Sequence, residues 1–285
     1  MAARYQYCGR FAPTPSGPLH FGSLVAALAS YLDAKAQQGR WLVRIEDIDT
    51  PRAVAGADQQ ILEQLDQHGL HWDGEVLYQS QRHDRYHSAL EQLTQQQLTY
   101  RCICTRREIK ARGPFYTGIC RAHDYTQEQA PRAAIRFKND SPQLSFHDRI
   151  AGSVTIEPDF GREDFVLFRR DGLFTYQLAV VVDDIEQEVT DIVRGADLLT
   201  ASSWQLALWN TLAGRQPVFA HVPVAVDSKG RKLSKQNHAP ALQSNQCLAQ
   251  LQQAAEFLGL GRLEATTKER FIEQAIRAWQ TKYLP

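Results

Sequence analysis

The sequence predicts an α/β protein: a parallel sheet with crossover helices, interrupted by a cysteine-bearing α+β insertion and closed by a short helical tail. The first third alternates strand, helix, strand, helix. The middle drops that alternation across a segment holding three of the five cysteines, and the alternation then resumes before the chain ends in an amphipathic helix. A chain of 285 residues buries a sizeable core, so one interrupted domain or two modest ones fit.

In order, Tyr5 to Phe11 reads as a strand, Pro13 to Pro18 as a turn, and Gly22 to Gln38 as a helix with Leu24, Leu28, Tyr31 and Leu32 on one stripe. Trp41 to Ile48 reads as a second strand. Thr50 before Pro51 has the form of an N-cap and first turn, which predicts a helix running to about Gly69. A helix from about Gln81 to Gln97 leads into the cysteine segment, where Ala133 to Phe137 and Ser153 to Glu157 read as strands. Apolar runs predict strands at Thr175 to Val182 and His221 to Val226, with a helix over Ser202 to Leu212 between them. In the tail, Thr266 and Glu269 have capping-box spacing ahead of a stripe of Phe271, Ile272, Ala275, Ile276 and Trp279. The expected organisation is a Rossmann-type domain in two halves (1–99 and 173–240), an insertion (100–172) and a helical C-terminal segment (241–285).

Lys plus Arg balances Asp plus Glu at 32 each, so a nucleic-acid site must come from local clustering of charge. Arg106, Arg107, Lys110 and Arg112 are such a cluster. No apolar stretch has the form of a signal peptide or a spanning helix, which predicts a cytoplasmic protein with no membrane partner. Five cysteines argue against a disulfide framework. Cys102, Cys104 and Cys120 lie within nineteen residues, and three soft ligands so close predict one structural Zn²⁺ per chain. Ordinary zinc chemistry offers His123 as the fourth ligand.

Two segments carry nucleotide chemistry. Arg10-Phe-Ala-Pro-Thr-Pro-Ser-Gly-Pro-Leu-His-Phe-Gly-Ser23 leaves the first strand and opens the first helix, where backbone N–H groups favour phosphate. In it His20 can donate to phosphate, and Gly22 leaves room for a flat base. Far along the chain, Asp227-Ser-Lys-Gly-Arg-Lys-Leu-Ser-Lys235 packs Lys229, Arg231, Lys232 and Lys235 into one loop. Such a loop can neutralise charge growing on an α-phosphate and on departing pyrophosphate.

His20-Phe-Gly-Ser23 resembles the HIGH signature, and Lys232-Leu-Ser-Lys-Gln236 the KMSKS signature, of class I aminoacyl-tRNA synthetases. Ser23 and Gln236 depart from those patterns, while His20, Gly22 and Lys235 keep them. The resemblance to the glutamyl branch extends through Arg44-Ile-Glu-Asp-Ile-Asp49 with Arg52, Gly69-Leu-His-Trp-Asp73, Tyr100-Arg-Cys-Ile-Cys-Thr105 and Arg194-Gly-Ala-Asp197. It implies an L-glutamate pocket lined by Arg10, Phe11, Ala12, Pro13, Thr14, Glu46, Tyr176 and Arg194. It also implies an ATP site using His20, Gly22, Lys232 and Lys235, with His20 and Lys235 acting on the reacting phosphate and Mg²⁺ held mainly by ATP. The chemistry agrees, because a guanidinium grips a carboxylate bidentately and Glu46 suits an ammonium. At the metal cluster the resemblance implies Tyr116, beside Cys102, Cys104 and Cys120, in place of His123.

Only fifty residues follow Lys235. In this the chain resembles truncated glutamyl-type enzymes that transfer glutamate to queuosine in the anticodon of tRNA(Asp), and that acceptor is the expectation. A minimal enzyme charging a tRNA 3′ end, or a nonenzymatic glutamate- or tRNA-binding paralogue, is the alternative.

Overall fold

The computed structural model describes residues 6–123, 125–226, 231–233 and 239–284. Its first unit runs β1 (Cys8–Phe11), α1 (Phe21–Ala36), β2 (Arg40–Ile45), α2 (Ala57–Gln67), β3 (Leu77–Tyr78) and α3 (His83–Gln95). The strands pair in parallel in the order β1-β2-β3. Every residue of β1 and all but the first of β2 are buried, as expected where helices cover a parallel sheet.

The middle of the chain contributes β4 (Thr99–Cys102), α4 (Arg106–Arg112), β5 (Ala134–Phe137), β6 (Ser145–Asp148), β7 (Gly152–Thr155), α5 (Pro158–Gly161) and β8 (Val166–Phe168). Strands β4, β5 and β8 form an antiparallel sheet of their own. The β6–β7 hairpin instead joins the strands that follow.

Those are β9 (Asp191–Gly195) and β10 (Val218–Val222), with α6 (Tyr176–Glu186) before them and α7 (Ser202–Leu212) between. The second sheet has the order β7-β6-β10-β9, and β10 runs parallel to both β6 and β9. Thr190, just ahead of β9, donates its N–H to the Cys8 carbonyl at 2.9 Å, which sets β9 beside β1. Strand order therefore diverges on either side of β1 and β9, and open α/β sheets bind ligands in the crevice at such a point.

Helices α8 (Cys247–Phe257) and α9 (Lys268–Tyr283) complete the chain. Helix α1 packs between the first sheet and these two helices, so Leu24, Leu28 and Leu32 are wholly buried. Phe271, Ala275 and Trp279 are buried on α9, and the Trp279 indole donates to Asp33 of α1 at 2.8 Å. A second core lies around α3, α6 and α7. Among the described residues no helix is long and apolar enough to cross a membrane.

Four local expectations need correction. Thr175 to Val182 is not a strand: the helix α6 begins at Tyr176, and its apolar run continues into Asp183 and Asp184, both buried. Strand β10 begins three residues earlier than expected and stops at Val222, because Pro223 has no N–H for a ladder. The helix expected from Thr50 breaks into a 3₁₀ turn over Thr50–Arg52 and then α2, separated by Gly56 at φ +75°. The α9 cap is Thr267, which accepts the Arg270 N–H, rather than Thr266 with Glu269.

Candidate functional site

The C-terminal ends of β1, β9 and β10 and the N-terminus of α1 enclose a cavity of about 410 Å³. Arg10, Phe11, Ala12, Pro13, Thr14, His20, Gly22, Tyr176, Arg194 and Lys232 all line it, although they come from segments far apart in the chain. Glu46 is buried behind this lining without being part of it. Lys235 lies outside the described residues.

One group of side chains gathers buried charge. Asp184 of α6 accepts from Arg10 through Nε (2.9 Å) and Nη2 (3.1 Å), and from Arg44 Nη2 at 2.6 Å. Burial opposes the Asp184 charge, but the two guanidiniums outweigh it and its pKa lies below the usual carboxylate range. Glu46 fares differently. Its contact with Arg44 is long, 3.8 Å, and Oε1 has no hydrogen-bond partner among the described residues. Burial therefore wins over Arg44 and Arg10, and the Glu46 pKa is pushed up to about 7.

Arg194 at the end of β9 is 6% exposed and makes no ion pair among the described residues. Neutral groups hold it instead. Nε donates to His221 Nε2 at 3.0 Å, Nη2 to Ser202 Oγ at 2.8 Å and Gln205 Oε1 at 2.7 Å, and Nη1 to the Tyr176 hydroxyl at 3.4 Å. Burial lowers the Arg194 pKa, yet a guanidinium stays charged. A buried cation facing a cavity with only neutral partners is a built site for an anion.

The second group sits where α1 begins. His20 is its N-cap, and Nδ1 accepts the Ser23 N–H at 3.2 Å, so the neutral ring carries its proton on Nε2. A Cβ on Gly22 would stand 3.2 Å from His20 Cε1 and 3.5 Å from the Leu233 carbonyl, so glycine lets ring and loop close in. Leu233 donates its N–H to the Ala225 carbonyl at 2.8 Å, Val226 bridges Lys232, and Ala241 bridges His20. Lys232 pairs with Asp197, which also lines the cavity. The first-turn amides, an Nε2–H donor and a nearby ammonium together suit a polyanion.

Apart from this cavity, Cys102, Cys104 and Cys120 bring their sulfurs within 4.8 Å of one another, with Cys104 and Cys120 3.5 Å apart. A tetrahedral zinc thiolate site has sulfur edges of about 3.8 Å, so the trio fits. The Tyr116 hydroxyl accepts the Cys120 N–H at 2.9 Å, and the Arg136 guanidinium lies 3.7 Å over its ring. His123 instead stacks on Tyr125 and is absent from the cluster.

Sequence reasoning missed the groups that hold Arg10 and Arg194, namely Asp184, Ser202, Gln205 and His221, and Asp148 behind His221. The signal for Asp184 was an acidic pair inside an apolar run, which reads equally as the end of a strand.

The sequence matches the family model for the catalytic domain of class I tRNA synthetases (E and Q) over residues 8–275. It is 53% identical to the glutamyl-Q tRNA(Asp) synthetase of Idiomarina loihiensis over 280 residues, 97% of this chain and 98% of that one. Identity to the glutamyl-Q tRNA(Asp) synthetase of Escherichia coli K12 is 49% over 283 residues, 98% and 91% of the two chains. Among solved structures, the glutamate–tRNA synthetase of Elizabethkingia anophelis superposes with a TM-score of 0.71 at 30% identity, covering 81% of this chain. The glutamate tRNA ligase of Elizabethkingia meningosepticum, in complex with its amino acid, gives 0.77 at 26% identity over 94% of this chain. The chain spans 53% and 64% of the lengths of those two structures.

Proposed function

This chain belongs to the class I tRNA synthetases of the E and Q group, and from that membership we propose that it activates L-glutamate with ATP and transfers it to queuosine in the anticodon of tRNA(Asp). The observation that carries the first half is the buried Arg194 guanidinium, which no acidic group neutralises among the described residues. The glutamate side chain supplies the missing charge, with Arg10 as second guanidinium once Asp184 has taken two of its nitrogens. Glu46, whose Oε1 lacks a partner, receives the substrate ammonium, and Phe11 to Thr14 with Tyr176 shape the walls.

The α-carboxylate of the substrate attacks the α-phosphorus of ATP in line. The new O–P bond forms as the bond to pyrophosphate breaks, giving glutamyl adenylate. The His20 Nε2–H, the first-turn amides of α1, Lys232 and Lys235 answer the charge that develops, with Mg²⁺ carried mainly by the triphosphate. A hydroxyl of the queuosine cyclopentene-diol then attacks the activated carbonyl, and AMP leaves as the ester forms. The support for this acceptor is the naming of the relatives, whose lengths the chain spans almost fully. A cytoplasmic location agrees with ATP and tRNA(Asp) as the proposed substrates.

Zinc is the metal that three thiolates and a phenol suit, with Cys102, Cys104, Tyr116 and Cys120 as ligands. When bound, it cross-links the insertion; no step of the reaction passes through it.

The test offers labelled glutamate and ATP with tRNA(Asp) that contains or lacks queuosine. Label is expected in the anticodon of the queuosine-containing tRNA alone. Label on the 3′ adenosine, or equal labelling of both, overturns the acceptor. Absence of glutamate-dependent ATP–pyrophosphate exchange, with or without tRNA, overturns activation.

A further inference from the structure

Arg194 reaches the cavity on the end of a chain of hydrogen bonds that starts in the hairpin of the insertion. Asp148, the last residue of β6, is wholly buried. Its Oδ1 accepts the backbone N–H groups of Ile150 (3.0 Å), Ala151 (2.7 Å) and His221 (3.1 Å). Its Oδ2 lies 2.6 Å from His221 Nδ1. The other ring nitrogen of His221 is the acceptor for Arg194 Nε at 3.0 Å, with Ser202 Oγ a further 3.3 Å neighbour. The imidazole stacks on Phe219 at 5.6 Å and 11°, and the Arg194 guanidinium lies 5.1 Å over that ring.

A guanidinium has no acceptor, so His221 Nε2 must be unprotonated to take the Arg194 proton. Nδ1 must then carry the hydrogen, and a carboxylate facing it selects that tautomer. We propose that Asp148 and His221 are positioning residues for glutamate: Asp148 fixes the Nδ1–H tautomer of His221, and His221 holds the Arg194 fork in the plane that meets the substrate carboxylate. The inference rests on the glutamate reading above and deepens it. Neither residue lines the cavity, and the polar atoms of both are taken up by protein groups, so they act through Arg194. Burial lowers the His221 pKa, in keeping with a ring that stays neutral beside a cation. Strand β6 is sequence-distant from both β9 and β10, so the middle segment that carries the cysteines also supplies the anchor of the amino-acid site.

The discriminating variant is Asp148→Asn. Its Oδ1 keeps the three backbone amides, while an NH₂ replaces the oxygen facing Nδ1. That inverts the tautomer and sets a ring N–H against the Arg194 N–H. In ATP–pyrophosphate exchange the glutamate KM is expected to rise roughly tenfold or more, the loss of one charge-assisted hydrogen bond, with the ATP KM unchanged. His221→Gln, which keeps an acceptor for Arg194, should recover part of the glutamate KM that His221→Phe loses. Nitrogen NMR of the unsubstituted chain near neutral pH should show His221 neutral with its proton on Nδ1. An Nε2–H tautomer or an imidazolium overturns the proposal, as does an Asp148→Asn enzyme whose two KM values are unmoved or rise together. If the unsubstituted chain shows no glutamate-dependent exchange, the activation reading falls and this inference with it. Normal exchange with an indifferent Asp148→Asn sinks the inference alone.

Discussion

Glu46 is held at a cost to folding. An unfolded carboxyl ionises near 4.5, whereas burial pushes the folded one up to about 7. A raised carboxyl pKa stabilises the fold fully below the unfolded value, and that contribution is lost as pH rises through the folded value. The loss therefore runs from pH 4.5 to about 7 and amounts to about 3 kcal/mol at most. Glu46→Gln removes the ionisation, so its melting temperature relative to the unsubstituted protein should be higher at pH 8 than at pH 5. Binding of the substrate ammonium needs the ionised form. The glutamate KM is thus expected to fall between pH 6 and pH 8 in the unsubstituted enzyme and to stay high and flat in Glu46→Gln. A stability difference independent of pH would show that Glu46 is already ionised in the empty site. Arg10, Glu46 and Arg194 were singled out by the family motifs that hold them, and the structure puts Arg10 and Arg194 on the cavity with Glu46 buried behind it. Their supports were not singled out. Asp184 meets Arg10 across 174 positions and Asp148 meets His221 across 73, and no local pattern encodes such pairings.

At the scale of elements, α6 shows why a buried apolar run misleads. Leu178 to Val182 is uniformly apolar because the helix is covered on every side, and a strand buried on both faces reads the same way. The two acids that follow turn different faces to the protein. Asp183 takes Arg82, Gln79 and Tyr86, and Asp184 takes Arg10 and Arg44. Helix α6 presents both in succession to different partners while keeping the carboxylates buried. By contrast, α1 and α9 were legible since each is long and carries an apolar stripe of helical period, although the α9 cap falls one residue later than the sequence suggested. Asp184→Ala strips the close carboxylate partner from both Arg10 and Arg44. An unpaired buried charge costs about 3–5 kcal/mol, and a shift of that size is expected in urea unfolding. A loss under about 1 kcal/mol would mean that the remaining acids, Glu46 and Asp183, both 3.8 Å from Arg44, take over the charge.

On the scale of the whole molecule, the middle segment belongs to two structures at once. Its β6–β7 hairpin is hydrogen-bonded into the second catalytic sheet, while β4, β5 and β8 form a separate sheet with its own small core of Tyr100, Cys102, Tyr116 and Cys120. None of these four residues lines the cavity that holds Arg10 and Arg194. If zinc holds that small core, removing it should loosen the outer sheet first, because the catalytic sheets keep two larger cores of their own. Metal analysis is expected to find one zinc per chain, lost or weakened in Tyr116→Phe and kept in His123→Ala; the reverse result would restore the histidine. Zinc stripped by a chelator should divide the melting curve into an early and a late transition. Glutamate-dependent pyrophosphate exchange should survive the first, since Arg10 and Arg194 stand on the sheets that remain and His20 caps α1, which packs on them. Transfer to tRNA is expected to fail there if the basic residues Arg106, Arg107, Lys110 and Arg112 of α4, which begins two residues after Cys104, hold the RNA. Loss of exchange and transfer in one step would instead make the cysteine core part of the catalytic unit, reached through the hairpin that carries Asp148.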